Sequence, residues 1–198
     1  MVLSQPDIRG AVERGEIRFE PTLEERQWGE ASVDLRLGLA FTKLKDAPSA
    51  TFSLAKGIGV IAETGLWHEE TLKIKNKFGK RETVVLDPGE FILAQTYERI
   101  WVPNHLIGLV EGRSTYARVG LSMHQTAPWI QPGWNGKITL EIRNSGPLRI
   151  ELTPIDDMPC QLTFFQLTTE LDISEAYGSR ATDIFQGQTA AMPARKNE

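Results

Sequence analysis

Cysteine is nearly missing from this chain: Cys160 is the only one in 198 residues. A lone thiol excludes an intrachain disulfide and fits a reducing compartment. Its neighbours make it a buried apolar residue rather than a nucleophile. Histidine is scarce too, and His68, His105 and His124 have no ligand-like spacing. The zinc deaminase signature, His-x-Glu followed by Pro-Cys-x-x-Cys, is absent, because no second cysteine follows Pro159-Cys160. No Walker loop or nucleophile elbow is present. Basic charge is not in excess: 22 Lys and Arg stand against 26 Asp and Glu, a net charge of -4. That argues against a nucleic-acid surface and makes any polyanion site local. No apolar run approaches membrane-spanning length, and the N-terminus lacks a basic stretch leading into an apolar one. The expectation is a cytoplasmic protein with neither membrane nor nucleic acid as partner.

Helical periodicity is also rare. Ser4 to Gly15 reads as a short helix, with Ser4 as N-cap, Pro6 in its first turn, and Ile8, Ala11 and Val12 as its apolar stripe. Elsewhere short apolar segments alternate with Pro and Gly turns. Ala31 to Leu37 alternates as a half-buried strand. Thr83 to Leu86, Phe91 to Thr96, Ile107 to Val110, Ile138 to Arg143, Leu148 to Leu152 and Gln161 to Leu167 read as further strands. The run from Phe91 to Thr96 suggests burial on both faces. Residues 41 to 83 are the least legible and read as an irregular excursion with one hairpin. The pattern predicts an all-β domain, a barrel or sandwich, over 1–175. Residues 176–198, loop-like in composition, read as a mobile tail.

Chemistry concentrates between Glu111 and Ile142. The stretch Glu111-Gly112-Arg113-Ser114-Thr115-Tyr116-Ala117-Arg118 interleaves two guanidiniums with hydroxyls and glycine, a combination suited to phosphate. Arg113 and Arg118 would project about 140° apart on a helical turn, so they address different groups. Two surface salt bridges are the plainer alternative. Gln131 to Gly136 is a tight turn that runs into Lys137-Ile138-Thr139-Leu140-Glu141-Ile142. Alternation puts Thr139, Glu141 and Arg143 on one strand face. That face is either solvated or the wall of a site where Glu141 serves as general acid or base. His124 reads first as a structural hydrogen bonder.

Taken in order, these motifs resemble the deoxycytidine triphosphate deaminase family of the trimeric dUTPase-like superfamily. The resemblance runs through Gly29 to Gly38, Leu86-Asp87-Pro88-Gly89-Glu90-Phe91 and, most strongly, Glu111 to Gly146. Tyr177, Arg180, Phe185, Gln186, Gly187 and Gln188 are similar to the family's C-terminal nucleotide-closing segment. The resemblance implies a distorted dUTPase-like β-barrel, a homotrimer with sites between subunits, and deamination of dCTP to dUTP and ammonia without zinc. The dUTP would supply dUMP for thymidylate synthesis. Magnesium would accompany the triphosphate, and dTTP is a further nucleotide to be considered as inhibitor. Glu141 matches the glutamate that shuttles protons while water attacks C4. Arg118 matches an active-site arginine that reaches across from a neighbouring subunit. Arg113, Ser114 and Thr115 match the phosphate segment, and His124, Thr126 and Ala127 the segment around the pyrimidine. Gln131, Tyr177, Arg180 and Gln188 complete the implied nucleotide contacts.

Three positions depart from the family pattern. Pro128-Trp129 stands where many deaminase-only members have His-Arg, and an aromatic there is closer to the bifunctional members that form dUMP. Gln131 stands where those members and the dUTPases carry Asp; an amide cannot take a proton from water. Ile184 stands where the tail often supplies a lysine. A dUMP-forming enzyme and a catalytically silent nucleotide-binding relative are the alternatives these departures keep open.

Overall fold

The computed structural model describes residues 1–45, 51–53, 55, 66–73 and 78–190. The all-β expectation holds. Among the described residues, the helix α1 (Gln5–Glu13) precedes twelve strands. Ser4 opens α1, its amide and hydroxyl both donating to the Asp7 carboxylate, which holds the Asp7 pKa below the usual range. Gly15 ends the helix segment with φ 74°. Ile8 and Ala11 are buried, as the stripe predicts.

The strands are β1 (Arg18–Glu20), β2 (Val33–Leu35), β3 (Ala40–Leu44), β4 (Trp67–Thr71), β5 (Val84–Leu86), β6 (Phe91–Trp101), β7 (Leu106–Gly112), β8 (Leu121–Ser122), β9 (Trp129–Ile130), β10 (Asn135–Asn144), β11 (Ile150–Leu152) and β12 (Cys160–Gln166). A four-residue helix, α2 (Ser114–Ala117), follows β7. The ladders form three antiparallel sheets: β4-β3-β6-β10-β8 with β1 also on β6, then β2-β12-β7-β9, and the pair β11-β5. They do not close into one continuous barrel among the described residues. In the poorly legible interval, β3 and β4 pair antiparallel from Ala40↔Thr71 to Leu44↔Trp67. Residues 46–50, 54, 56–65 and 74–77 of that interval, and 191–198 of the tail, lie outside the described residues.

The long strand β6 joins the sheets. Ile92, Leu93, Ala94, Gln95 and Thr96 are all buried, as the doubly apolar run predicts. Its pairing with β10 breaks register between Lys137↔Arg99 and Thr139↔Gln95. At the break the Thr96 hydroxyl accepts from the Ile138 amide (3.0 Å) and donates to the Glu98 carbonyl (2.7 Å). Glu98 shares the buried face of β6 with Ile92, Ala94, Thr96 and Ile100 and is itself fully buried. Its carboxylate accepts from Arg36 Nε (2.6 Å), the Arg36 amide (3.0 Å) and Gln27 Nε2 (2.9 Å). The Arg36 guanidinium also meets Glu24 and lies over the Tyr97 ring. Phe19 and Phe164 add an edge-to-face contact between β1 and β12, on different sheets.

A second device anchors the segment after β7. Gly120, with φ 90°, lies against Gly146 so closely that a Cβ on Gly146 would stand 2.1 Å from the Val119 carbonyl oxygen. Only two glycines allow this approach. The fully buried Asn144 supports it, donating to the Leu86 and Leu148 carbonyls and accepting from the Gly146 amide.

Glu98→Ala takes the buried carboxylate from Arg36 and leaves it, among the described residues, only the half-exposed Glu24 as ion partner. The expected loss is about 3–5 kcal/mol of unfolding free energy, read from urea denaturation. An unchanged midpoint would show that the cluster contributes nothing net.

Candidate active site

Strand β10 alternates as its sequence suggests. Leu140 and Ile142 are fully buried on one side, while Thr139 and Glu141 face a cavity of about 840 Å³. The cavity also takes in the turn His124, Gln125, Thr126 and Ala127, and beyond it Trp129 and Gln131. Aromatic rings supply much of the remaining wall: Trp67, Phe91, Trp134, Tyr177 and Phe185. Such a concave, mostly apolar site with a few convergent polar groups suits a planar ring with polar edges.

Glu141 is half-buried on this wall. One carboxylate oxygen accepts from the Gln125 amide at 2.8 Å, and the Gln125 side chain reaches back to the Glu141 carbonyl at 3.3 Å. The other carboxylate oxygen accepts no hydrogen bond from the described residues. A carboxylate with one oxygen held and the other free toward a cavity is arranged to accept and return a proton.

His124 occupies the same turn. Its Nδ1 accepts from the Thr126 amide (3.2 Å), and its Nε2 lies 3.1 Å from Glu111 Oε2. A ring that accepts at Nδ1 carries its proton on Nε2 and donates it to Glu111. Thr126 is one of two non-glycine residues with positive φ among the described residues, at 115°.

The C-terminal segment closes the cavity from the other side. The Tyr177 amide donates to the Pro132 carbonyl (2.8 Å), and the Tyr177 ring packs on Trp134 with centroids 5.4 Å apart. Gln188 is buried, and its Nε2 donates to the Thr139 hydroxyl (2.7 Å) and the Lys137 carbonyl (2.9 Å). Its Oε1 has no partner.

Of the residues singled out in the sequence, Glu141, His124, Thr126, Ala127, Gln131, Tyr177 and Gln188 line this cavity. Arg113, Ser114, Thr115, Arg118 and Arg180 do not. Arg113 precedes α2 and pairs with Asp34 at 3.1 Å. Burial raises the Asp34 pKa, and the Arg113 charge opposes that rise. Ser114, Thr115 and Arg118 are exposed around α2, and Arg180 is exposed in the tail. Sequence reasoning missed the Gln125 amide, because a backbone donor has no residue signature. It also missed Phe91 and Leu93, which the period-two pattern of β6 places on one face. Cys160 is fully buried, and burial pushes its thiol far above the ordinary range, so it is no nucleophile. Among the described residues no three His, Cys, Asp or Glu side chains gather into a cation site.

Gly133 controls how the tail seats. Its φ is 86°, and an added Cβ would stand 2.8 Å from Ala176 Cβ and 3.0 Å from the Tyr177 carbonyl oxygen. Gly133→Ala imposes about 1–3 kcal/mol of strain there. Trypsin should then cleave after Arg180 about tenfold faster or more, with 1–167 left intact. Wild-type cleavage rates would show that the tail does not depend on this contact.

Comparison with known proteins bears on the same residues. A family model described as dCTP deaminase-like matches residues 2–167. A dCTP deaminase of Rhodospirillum rubrum is 35% identical over 195 residues, covering 98% of this chain and 96% of the relative. A dUMP-forming dCTP deaminase of Methanosphaera stadtmanae is 32% identical over 203 residues, covering 100% and 94%. In fold, the chain is similar to the crystal structure of 2'-deoxycytidine 5'-triphosphate deaminase from Agrobacterium tumefaciens. The TM-score is 0.63 at 23% identity, over 88% of this chain and 50% of that one. With a match that spans the strands and Glu141, this chain belongs to the dCTP deaminase-like family.

Proposed function

We propose that this protein deaminates dCTP to dUTP and ammonia. The observation that carries the reading is Glu141: one oxygen is held by the Gln125 amide and the other is free toward an aromatic-lined cavity. Glu141 takes a proton from the attacking water as its oxygen bonds to C4 of cytosine. It then delivers that proton to the amino group as the C4–N bond breaks and ammonia leaves, and the remaining hydroxyl proton passes to N3, which gives the C4 carbonyl of uracil. The proton relay runs through the carboxylate and needs no zinc. Thr126 and Ala127 border the pyrimidine, and Tyr177 and Gln188 cover it from the tail. His124 belongs to the same turn, and Gln131 faces the phosphate side.

The substrate is the magnesium complex of dCTP, with the cation carried by the triphosphate. Arg113, Ser114 and Thr115 bind the phosphates, and Arg118 completes a site in a neighbouring subunit. Their position outside the cavity of a single chain supports a shared site, and hence a homotrimer. The product dUTP feeds dUMP formation for thymidylate synthesis. The dUMP-forming name of the Methanosphaera relative favours the second reading, in which pyrophosphate is also released. Gln131 argues against it, since an amide offers no base for water attacking the α-phosphate.

Three measurements test the proposal. Glu141→Gln keeps shape but not proton transfer, so turnover should fall by about 10²–10⁴-fold while dCTP still binds. Near wild-type turnover would remove Glu141 from the mechanism. Chromatography of wild-type reactions with dCTP and magnesium should show dUTP and ammonia in equal amounts; stoichiometric pyrophosphate would overturn the assignment of Gln131. Light scattering should give a mass near three chains of 22.2 kDa. A fully active monomer would contradict the shared site.

A further inference from the structure

We infer that Glu111 is a positioning residue for Glu141, acting through the tautomer of His124; the inference rests on the deaminase reading above. Glu111 lies near the end of β7, exposed, and among the described residues the partner of its carboxylate is the His124 ring. The two nitrogens of that ring have different partners. Nδ1 faces the Thr126 amide at 3.2 Å, and an amide N–H can only donate. Nε2 faces the Glu111 carboxylate at 3.1 Å, and an ionised carboxylate can only accept. The neutral ring with its proton on Nε2 satisfies both contacts at once. The opposite tautomer sets two donors against each other at Thr126 and two acceptors against each other at Glu111.

The bond at Thr126 carries unusual weight. A β-branched residue at φ 115° is strained by about 1–3 kcal/mol and persists only where its surroundings hold it. The His124 Nδ1 contact is the hydrogen bond recorded for the Thr126 amide. One residue earlier, the Gln125 amide holds Glu141 at 2.8 Å. Glu111 therefore fixes the ring, the ring fixes Thr126, and the turn so pinned presents the Gln125 donor to the reacting carboxylate. This separates His124 from the nucleotide contacts: its nitrogens are both occupied within the protein. It also gives a function to a carboxylate that the phosphate-binding reading of the neighbouring arginine segment leaves unused.

The test combines kinetics with ring-nitrogen NMR. In mildly alkaline buffer, ¹⁵N-histidine-labelled wild-type protein should show His124 with a protonated Nε2 and an unprotonated Nδ1. Glu111→Ala should lower kcat by about tenfold and shift the His124 nitrogens toward averaged values. Glu111→Gln, whose amide oxygen still accepts from Nε2–H, should recover most of the lost turnover. His124→Asn keeps an acceptor near the Nδ1 position and should stay more active than His124→Gln, which reaches Glu111 but abandons Thr126. A wild-type kcat in Glu111→Ala, or an unchanged ring pattern in that variant, would overturn the inference. A wild-type protein that releases no ammonia from dCTP would instead sink the deaminase reading, and the ring pattern would still decide the role of Glu111.

Discussion

The pairing of β6 with β10 is the constraint on which the rest of the molecule depends. Glu98 keeps the alternation of β6, on the buried face with Ala94, Thr96 and Ile100, and so meets Arg36. Where the pairing breaks, the Thr96 hydroxyl takes up the Ile138 amide that would otherwise be orphaned. A buried carboxylate is tolerated because three donors converge on it. Past the break β10 resumes its pairing at Thr139, and Thr139 and Glu141 face the cavity. The strand pair that buries Glu98 from β6 thus also carries, on β10, the carboxylate proposed for chemistry.

The cavity itself is assembled from three kinds of chain. A regular strand holds Glu141, a turn with strained backbone holds its amide donor, and a segment without regular structure supplies Tyr177 and Gln188. The regularity of the hydrogen bonding decreases along that series. In the arginine segment the Arg113 guanidinium is held elsewhere, by Asp34, and the backbone that follows α2 is held by the Gly120–Gly146 contact. A single chain therefore separates the group suited to proton transfer from those suited to phosphate charge.

How much of this was legible in the sequence follows from the range of each interaction. The β class, α1 and most strands were readable, because period-two alternation and Pro-Gly turns are local signals. The N-terminal helix showed through its cap and through Ile8 and Ala11. The extension of β6 through Trp101 was not readable, since polar Glu98 and Arg99 interrupt the apolar run and only the distant Arg36 and Asn135 account for them. Glu141 stood out as a lone carboxylate in an apolar strand, yet alternation alone allowed it to face water. Its orientation toward the cavity depends on how β10 meets the 124–127 turn, a relation spanning about one strand pair rather than neighbouring residues. The short strands β8 and β9, two residues each, carry too little pattern to be read. The tail looked like loop, and its turns bear that out, but its docking depends on Gly133 and Trp134, more than forty residues upstream.

The tail has one further consequence, which concerns the company the protein keeps in solution. Along its first residues β10 pairs with β6 on one side, and its other side is met by Gln188 and Gly187: the Lys137 amide donates to the Gln188 carbonyl, and the Gly187 amide to the Asn135 carbonyl. The segment thus occupies a sheet edge whose open donors and acceptors would otherwise template pairing with a foreign strand. The same few backbone hydrogen bonds that seat the tail against the cavity therefore also cover this margin of the sheet.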